Sequence, residues 1–464
     1  MASLMPKAQR VHDYDLIAIG SGAGGGVAAH LSARAGHKVA IVEDDTVGGE
    51  CPNFGCVPTK ALLQAAELYR SATEAKKFGI KVSALNFNYP AIKKWKDLAV
   101  KRTGTADGER AYSADGIAVI SGHAHFISPH EISTGQRRFT AKKFLVATGT
   151  SNFIPPIEGL SESGFITYRD AIDLTKPLKS VFIIGGGAIG CEFAELFATF
   201  GTKVTIADFA PRLLTKEDAA VGELIQAVFE HQNGINVHIS TEVVKIEAKA
   251  GKKTVYFRTS GKIQSVKVDE VLVATGKVPH TDLGLENAGV EYDKHGIKVN
   301  DFMQTSSPHI YAAGDVTGKM MFTHVASYQS RIAAYNMFRP KREWIKALYH
   351  AIPRVTFVAP EAAGVGATED ELKSRKINYQ VGAAAVSVIG RANTADNDIG
   401  FVKVLADKQG ILLGAAIVSP RAGEMIHELA LAIQHGLTAQ AIVDTVHAFP
   451  TWSEAVRVAC AKIA

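Results

Sequence analysis

Cys51 and Cys56 stand five positions apart in GECPNFGCVPTK, residues 49–60, and the chain of 464 residues has only four cysteines. Three roles suit such a pair. A disulfide is the first, but a regular helix holds positions five apart at about 9 Å between Cα atoms. A disulfide needs roughly 4.4 to 6.8 Å, so pairing requires the segment to depart from the helix expected after Pro58. Metal binding is the second, yet no second cysteine pair or close histidine supplies the other ligands of a zinc site. Two buried thiols are the third. Cys56 also precedes the helical stretch TKALLQAAELYRSATEAKK, whose N-terminus would acidify a thiol, and Pro58 suits the first turn.

The elements that position these residues read as repeats. DYDLIAIGSGAGGGVAAHLSARAGHKVAIVEDD runs from a buried apolar stretch through glycines and an Ala-rich helix to a second apolar stretch ending in acid, which is a βαβ unit. Gly20, Gly22 and Gly25 fit G-x-G-x-x-G, which lets a pyrophosphate approach a helix N-terminus. Glu43 closes the second strand, placed to accept from a ribose hydroxyl. The unit recurs in SVFIIGGGAIGCEFAELFATFGTKVTIADFA, with Gly185, Gly187 and Gly190 in the turn and Asp208 in the place of Glu43. Two dinucleotides are expected. Asp208 favours NAD over NADP because a carboxylate repels a 2′-phosphate, with Arg212 nearby working against that preference.

Each unit has a later echo. FLVATGT at 144–150 and VLVATGKVP at 271–279 read as strands returning to the nucleotide sheets, with Thr148 and Gly276 as cofactor-binding candidates. IYAAGDV at 310–316 sets Asp315 at the end of an apolar strand, where a carboxylate could hold a polyol; a surface turn is the alternative. With 47% apolar residues the chain can fill the cores of about three domains. A net charge of +5 with no basic block gives no footprint for nucleic acid. MASLMPKAQRVHDYD lacks the apolar region of a signal peptide, and no apolar run reaches a membrane span. A cytoplasmic protein is expected, where a cysteine pair is more often catalytic or metal-binding than structural.

Taken in order, GSGAGG, GGECPNFGCVPTK, GHA, ATG, GGGAIG, ATGKVP, AAGDV and PTWSE resemble the class I pyridine nucleotide-disulfide oxidoreductases over nearly the whole length. That family includes dihydrolipoamide dehydrogenase, glutathione reductase and mercuric reductase. The resemblance implies an α/β fold of two Rossmann-like dinucleotide-binding domains plus a C-terminal α+β dimerisation domain. FAD would bind 1–152 and 279–347, NAD would bind 153–278, and 348–464 would form a homodimer. It further implies that Cys51 and Cys56 make a redox-active disulfide, with Cys56 facing the flavin and Cys51 as the interchange thiol. Lys60 would lie near the flavin, paired with Glu192. Asp315 would bind the FAD ribitol and Ala124 the adenine through its backbone. No metal is implied.

One position departs from the family. Thiol-disulfide members carry His-Pro-Thr near the C-terminus, with the histidine as acid/base and a glutamate orienting it. Here the sequence is His447-Ala448-Phe449-Pro450-Thr451-Trp452-Ser453-Glu454, so Phe449 takes the histidine position and Glu454 remains. Losing a positioned base costs about 10² to 10⁴ in rate. The readings are therefore an NAD-linked, lipoamide-type dithiol enzyme with another proton path, a reductase of a different acceptor (quinone, metal ion or other disulfide), or a non-catalytic flavoprotein. A lipoyl-bearing protein is a candidate partner. Cys191 and Cys460 are expected to be packing cysteines.

Overall fold

The computed structural model describes residues 12–103 and 108–463; most of the N-terminal stretch discussed above lies outside them. The fold is mixed α/β and divides into two compact units. The first comprises Met1–Pro58, Leu98–Ser151 and Lys277–Leu348, and the second Thr59–Asp97, Asn152–Gly276 and Tyr349–Ala464.

In the first unit, parallel strands run in the order Ala118–Ser121, Val39–Glu43, Tyr14–Ile19, Arg137–Val146 and Ile310–Ala312. Leu16, Ile17 and Ala18 are fully buried because helices or strands cover both faces, which is why this strand is continuously apolar rather than alternating. Ile17 pairs with Ala40 on one side and Phe144 on the other. Strand Arg137–Val146 also turns its early residues to antiparallel partners in Glu131–Thr134. Helix Ala23–Arg34 follows the first glycine turn and is tied to helix Thr323–Met337, where Ser330 Oγ accepts from Ala28 N at 2.9 Å and donates to Gly24 O.

The second unit repeats the plan. Its parallel sheet runs Asn236–His238, Lys203–Ala207, Ser180–Ile184 and Glu270–Val273, beside an antiparallel three-stranded sheet from Thr241 to Val268. A five-stranded antiparallel sheet then carries helices Ala422–Gln434 and Glu454–Cys460. The first of these buries Met425, Ile426, Leu429 and Ile433, the apolar stripe of an amphipathic helix, against Val402, Val404 and Ile417.

Both glycine turns meet the same steric limit. A Cβ on Gly25 would lie 1.8 Å from Gly20 O, and one on Gly190 would lie 1.9 Å from Gly185 O. Gly20 and Gly185 have φ of +99° and +113°, which L side chains rarely adopt. Each helix can therefore start against its strand only with these residues. Gly190→Ala should cost about 1 to 3 kcal/mol, seen as a lower urea midpoint at unchanged slope; an unchanged midpoint would show that the turn yields to a methyl group.

Candidate active site

The thiol pair meets by breaking the helix. Glu50–Asn53 forms one turn, Phe54 and Gly55 interrupt it, and a new helix runs Cys56–Glu74. The second helix thus starts two residues before Pro58 rather than after it. Proline's missing N–H is tolerated because the first turn has no partner for it. Cys51 is half-buried and Cys56 exposed, so these are not buried packing thiols; no disulfide joins them, and their side chains are in hydrogen-bonding contact. Cys56 Sγ also lies 3.5 Å from Thr323 Oγ1. The Cys51 thiol is pushed far up by its hydrogen bond to Cys56, by burial and by the Cys56 charge. Cys56 is the sulfur beside a helix N-terminus and a hydroxyl, both of which favour a thiolate.

This segment is fastened to the first glycine turn. A Cβ on Gly49 would come within 2.6 Å of Gly22 Cα. Gly48 N donates to Ser21 Oγ at 2.9 Å, and Ser21 N and Oγ donate to Glu43 Oε2 at 2.8 and 2.5 Å. Asn53 Nδ2 donates to Val47 O and Gly49 O. The other Glu43 oxygen accepts from Asp44 N and Asp45 N. All four lone-pair positions of Glu43 are therefore engaged, and a ribose hydroxyl would have to share or displace one.

The helix that begins at Cys56 also carries Lys60. Its Nζ lies 3.0 and 2.7 Å from the two oxygens of buried Glu192 and 4.7 Å from the centre of the Phe357 ring. Phe357 N donates to Glu192 Oε1 at 3.0 Å. Glu195, one turn on, repeats the arrangement: Arg70 Nη1 is 2.6 Å from Oε1, out of hydrogen-bonding alignment, and Ala359 N donates to Oε2 at 2.5 Å. Two carboxylates on helix Ala188–Thr199 thus bridge cations of one helix to alternate amides of one loop. Sequence reasoning found the Lys60–Glu192 pair; it missed Glu195, Arg70, Phe357 and Thr323. The spacing of the two glutamates, three apart on an otherwise apolar helix, was the available signal.

The remaining candidates sit as follows. Gly22 and Gly187 are the N-caps of their helices, neither with a side-chain cap, and no atom lies within 4 Å of where a Cβ on Gly187 would be. Both helix ends thus fit a pyrophosphate. Asp208 closes its strand with Oδ2 accepting from Gly186 N at 2.5 Å, and the following Phe209 is 86% exposed. Gly276 has φ of +121° and open space around it. Thr148 Oγ1 donates to His280 O at 2.8 Å, and Asp315 opens a short 3-10 helix with Thr150 Oγ1 3.5 Å from its Oδ2. Ala124 lies in strand Ala124–Ser128, paired with Thr134. Cys191 and Cys460 are fully buried, as packing cysteines are, and burial pushes both thiols up, Cys460 to about 12. Among the described residues no cluster of three or more His, Cys, Asp or Glu could hold a metal, and no helix is long and apolar enough to cross a membrane.

At the C-terminal end, the Phe449 ring is 76% exposed and lies 3.2 Å from where a Cβ on Gly390 would be. Glu454 Oε2 accepts from Thr451 N at 3.3 Å. The His447 side chain is 6% exposed, with Nδ1 2.9 Å from Thr445 O and Nε2 2.9 Å from Glu428 Oε1. Acceptors face both ring nitrogens, which leaves neither open to a substrate proton.

Two nucleotide-binding folds and a pair of contacting cysteines in one chain are the features of a disulfide oxidoreductase. The chain belongs to the pyridine nucleotide-disulphide oxidoreductase family, whose sequence profile matches residues 14–330, with the family's dimerisation domain at 352–460. It is 36% identical over 455 residues to a dihydrolipoyl dehydrogenase of Thermus scotoductus, covering 95% of each chain. It is 34% identical over 450 residues to a mercuric reductase of Staphylococcus aureus, covering 96% of this chain and 82% of that one. Among solved structures, it superposes with a TM-score of 0.85 on the HOCl-induced flavoprotein disulfide reductase RclA of Escherichia coli (27% identity, 97% and 100% covered). LpdA of Mycobacterium tuberculosis gives 0.86 (25%, 97% and 99%). The chain is an oxidoreductase that uses FAD and NAD(H).

Burial pushes Glu195 up to about 7, against the pull of Arg70 and the Ala359 amide. An unfolded glutamate titrates at about 4.3. Between these values the folded chain keeps a proton that the unfolded chain has released. The contribution is whole below the lower value and is lost as pH rises through the upper one. The stability of the wild type relative to Glu195→Gln should therefore fall by about 3 kcal/mol between about pH 4 and about pH 8. A flat difference would mean that Glu195 is charged throughout.

Proposed function

We propose that this protein passes electrons between NAD(H) and a dithiol or disulfide substrate through the Cys51–Cys56 pair, in the manner of a dihydrolipoamide dehydrogenase. The observation that carries the reading is the contact between two cysteines, the more exposed one at the start of a helix. FAD, when bound, supplies the electron relay between nicotinamide and disulfide. The chain's own residues do the thiol chemistry. With the pair oxidised, a substrate thiolate attacks Cys51 Sγ, and Cys56 leaves as a thiolate steadied by the helix N-terminus and the Thr323 hydroxyl. A leaving thiol of low pKa departs faster. The second substrate thiol then gives up its proton and attacks the substrate sulfur of this mixed disulfide; the bond to Cys51 breaks, the substrate closes its own disulfide, and Cys51 takes up a proton.

The glycine turns at Gly20, Gly22 and Gly25 and at Gly185, Gly187 and Gly190 take the pyrophosphates of FAD and NAD. Asp315, Thr148 and Ala124 line the FAD side, and Asp208 and Gly276 the NAD side. Lys60, held by Glu192, sets a positive charge beside the flavin, where reduction adds electron density. Residues 1–152 and 279–347 form the FAD domain, 153–278 the NAD domain and 348–464 the homodimer interface, across which Phe449 and Glu454 face the partner's dithiol. A lipoyl-bearing protein is the fitting partner.

A second reading has its own support. Phe449 offers an exposed ring where a thiol base would stand, and both His447 nitrogens are engaged. An acceptor that needs no thiol base, such as a quinone, suits that surface. Anaerobic turnover of dihydrolipoamide with NAD⁺ separates the two. The dithiol reading expects measurable turnover that Cys51→Ser abolishes and Phe449→His raises at least about tenfold, within the usual worth of a positioned base. Absent turnover in both the wild type and the histidine variant, with NADH-driven benzoquinone reduction surviving Cys51→Ser, would replace it with the second reading.

A further inference from the structure

The loop after Asp208 carries a cation that is committed away from the nucleotide. Asp208 Oδ2 accepts from Gly186 N, and Oδ1 accepts from Ala210 N at 2.8 Å. The chain then folds back on the glycine turn: Leu214 N donates to Gly186 O at 2.9 Å, and Leu213 Cδ2 lies 2.6 Å from where a Cβ on Gly186 would be. Arg212 is therefore part of the wall of this turn, four residues from the carboxylate that faces the ribose. Its guanidinium points elsewhere. Nη2 donates to Asp370 Oδ2 at 2.8 Å, while the buried Nε has no hydrogen-bond partner. Asp370 lies in the first turn of helix Glu369–Ser374, whose start is fixed by a capping box of Thr368 and Glu371.

We infer that Asp370 is a specificity-determining residue: by holding Arg212 it withholds the cation that would receive a 2′-phosphate, and so leaves Asp208 alone to select NAD over NADP. This rests on reading the second glycine turn as the NAD site. A 2′-phosphate brings negative charge beside Asp208 and needs a nearby guanidinium to offset it. The Arg212 charge is already balanced by Asp370 and its planar fork is turned to a carboxylate. The pair is partly exposed, with Asp370 about half open to solvent, so its strength is modest and salt-dependent. Releasing Arg212 should shift preference several-fold rather than invert it.

The test uses the FAD-loaded enzyme and two probes that differ only by the phosphate in question, AMP and adenosine 2′,5′-bisphosphate, bound calorimetrically, alongside kcat/KM for NADPH and NADH. Asp370→Asn should tighten the bisphosphate about three- to tenfold, leave AMP unchanged, and raise NADPH relative to NADH in the same measure. Asp370→Ala is a second variant should the amide unsettle the short helix, and thermal midpoints check both. Adding Arg212→Gln should cancel the gain. A gain that survives Arg212→Gln, or no gain while AMP still binds, would overturn the inference. Failure of the wild type to bind AMP or NADH would instead overturn the nucleotide-site reading beneath it.

Discussion

Two sulfurs five positions apart can touch only where the helix between them is broken, and this constraint organises the first unit. Phe54 and Gly55 end one turn so that Cys56 can begin another helix. The broken segment would be free to drift, but the chain Gly48–Ser21–Glu43 and the Gly22–Gly49 contact pin it to the first glycine turn. One glycine turn therefore does two jobs, presenting a helix end to a nucleotide and fixing where the dithiol stands. Glu43, which a pattern reading assigns to the ribose, is largely occupied in holding this junction together.

The second unit has a comparable anchor in helix Ala188–Thr199. Glu192 and Glu195 are both buried, and each is met by one cation and one backbone amide. Leaving either carboxylate unpaired would be costly in so dry a place. The shared loop at 357–359 ties the two together, and the Phe357 ring against Lys60 adds a cation–π contact. At Glu195 burial outweighs the Arg70 attraction.

The two glycine turns were legible because everything that defines them is local: strand, turn, helix and acid lie within some thirty residues, and glycine is the sole residue the turn tolerates. The helix from Ala422 is local in the same way, since Met425, Ile426, Leu429 and Ile433 recur at helical spacing. Contacts made across long stretches of sequence were not. Thr323 reaches Cys56 and Arg70 reaches Glu195 only after the chain has folded, and beyond the spacing of the two glutamates nothing nearby in sequence marks these partners. The start of the helix at Cys56 was misplaced because Pro58 reads as a first residue, although a helix accepts proline anywhere in its first turn. His447, two residues before Phe449, is a residue that another proton path could use; its two acceptors, Thr445 O and Glu428, are visible only in three dimensions.

This chain combines an intact cysteine pair with a phenylalanine at position 449, and the whole account depends on the pair being a working redox centre. The most direct test is peptide mapping of the FAD-loaded enzyme before and after one equivalent of NADH without oxygen. The account predicts a Cys51–Cys56 disulfide in the oxidised enzyme, two free thiols at those positions after NADH, and unmodified thiols at Cys191 and Cys460 throughout. Cysteines 51 and 56 found as free thiols in the oxidised enzyme, or a disulfide that NADH leaves intact, would contradict it.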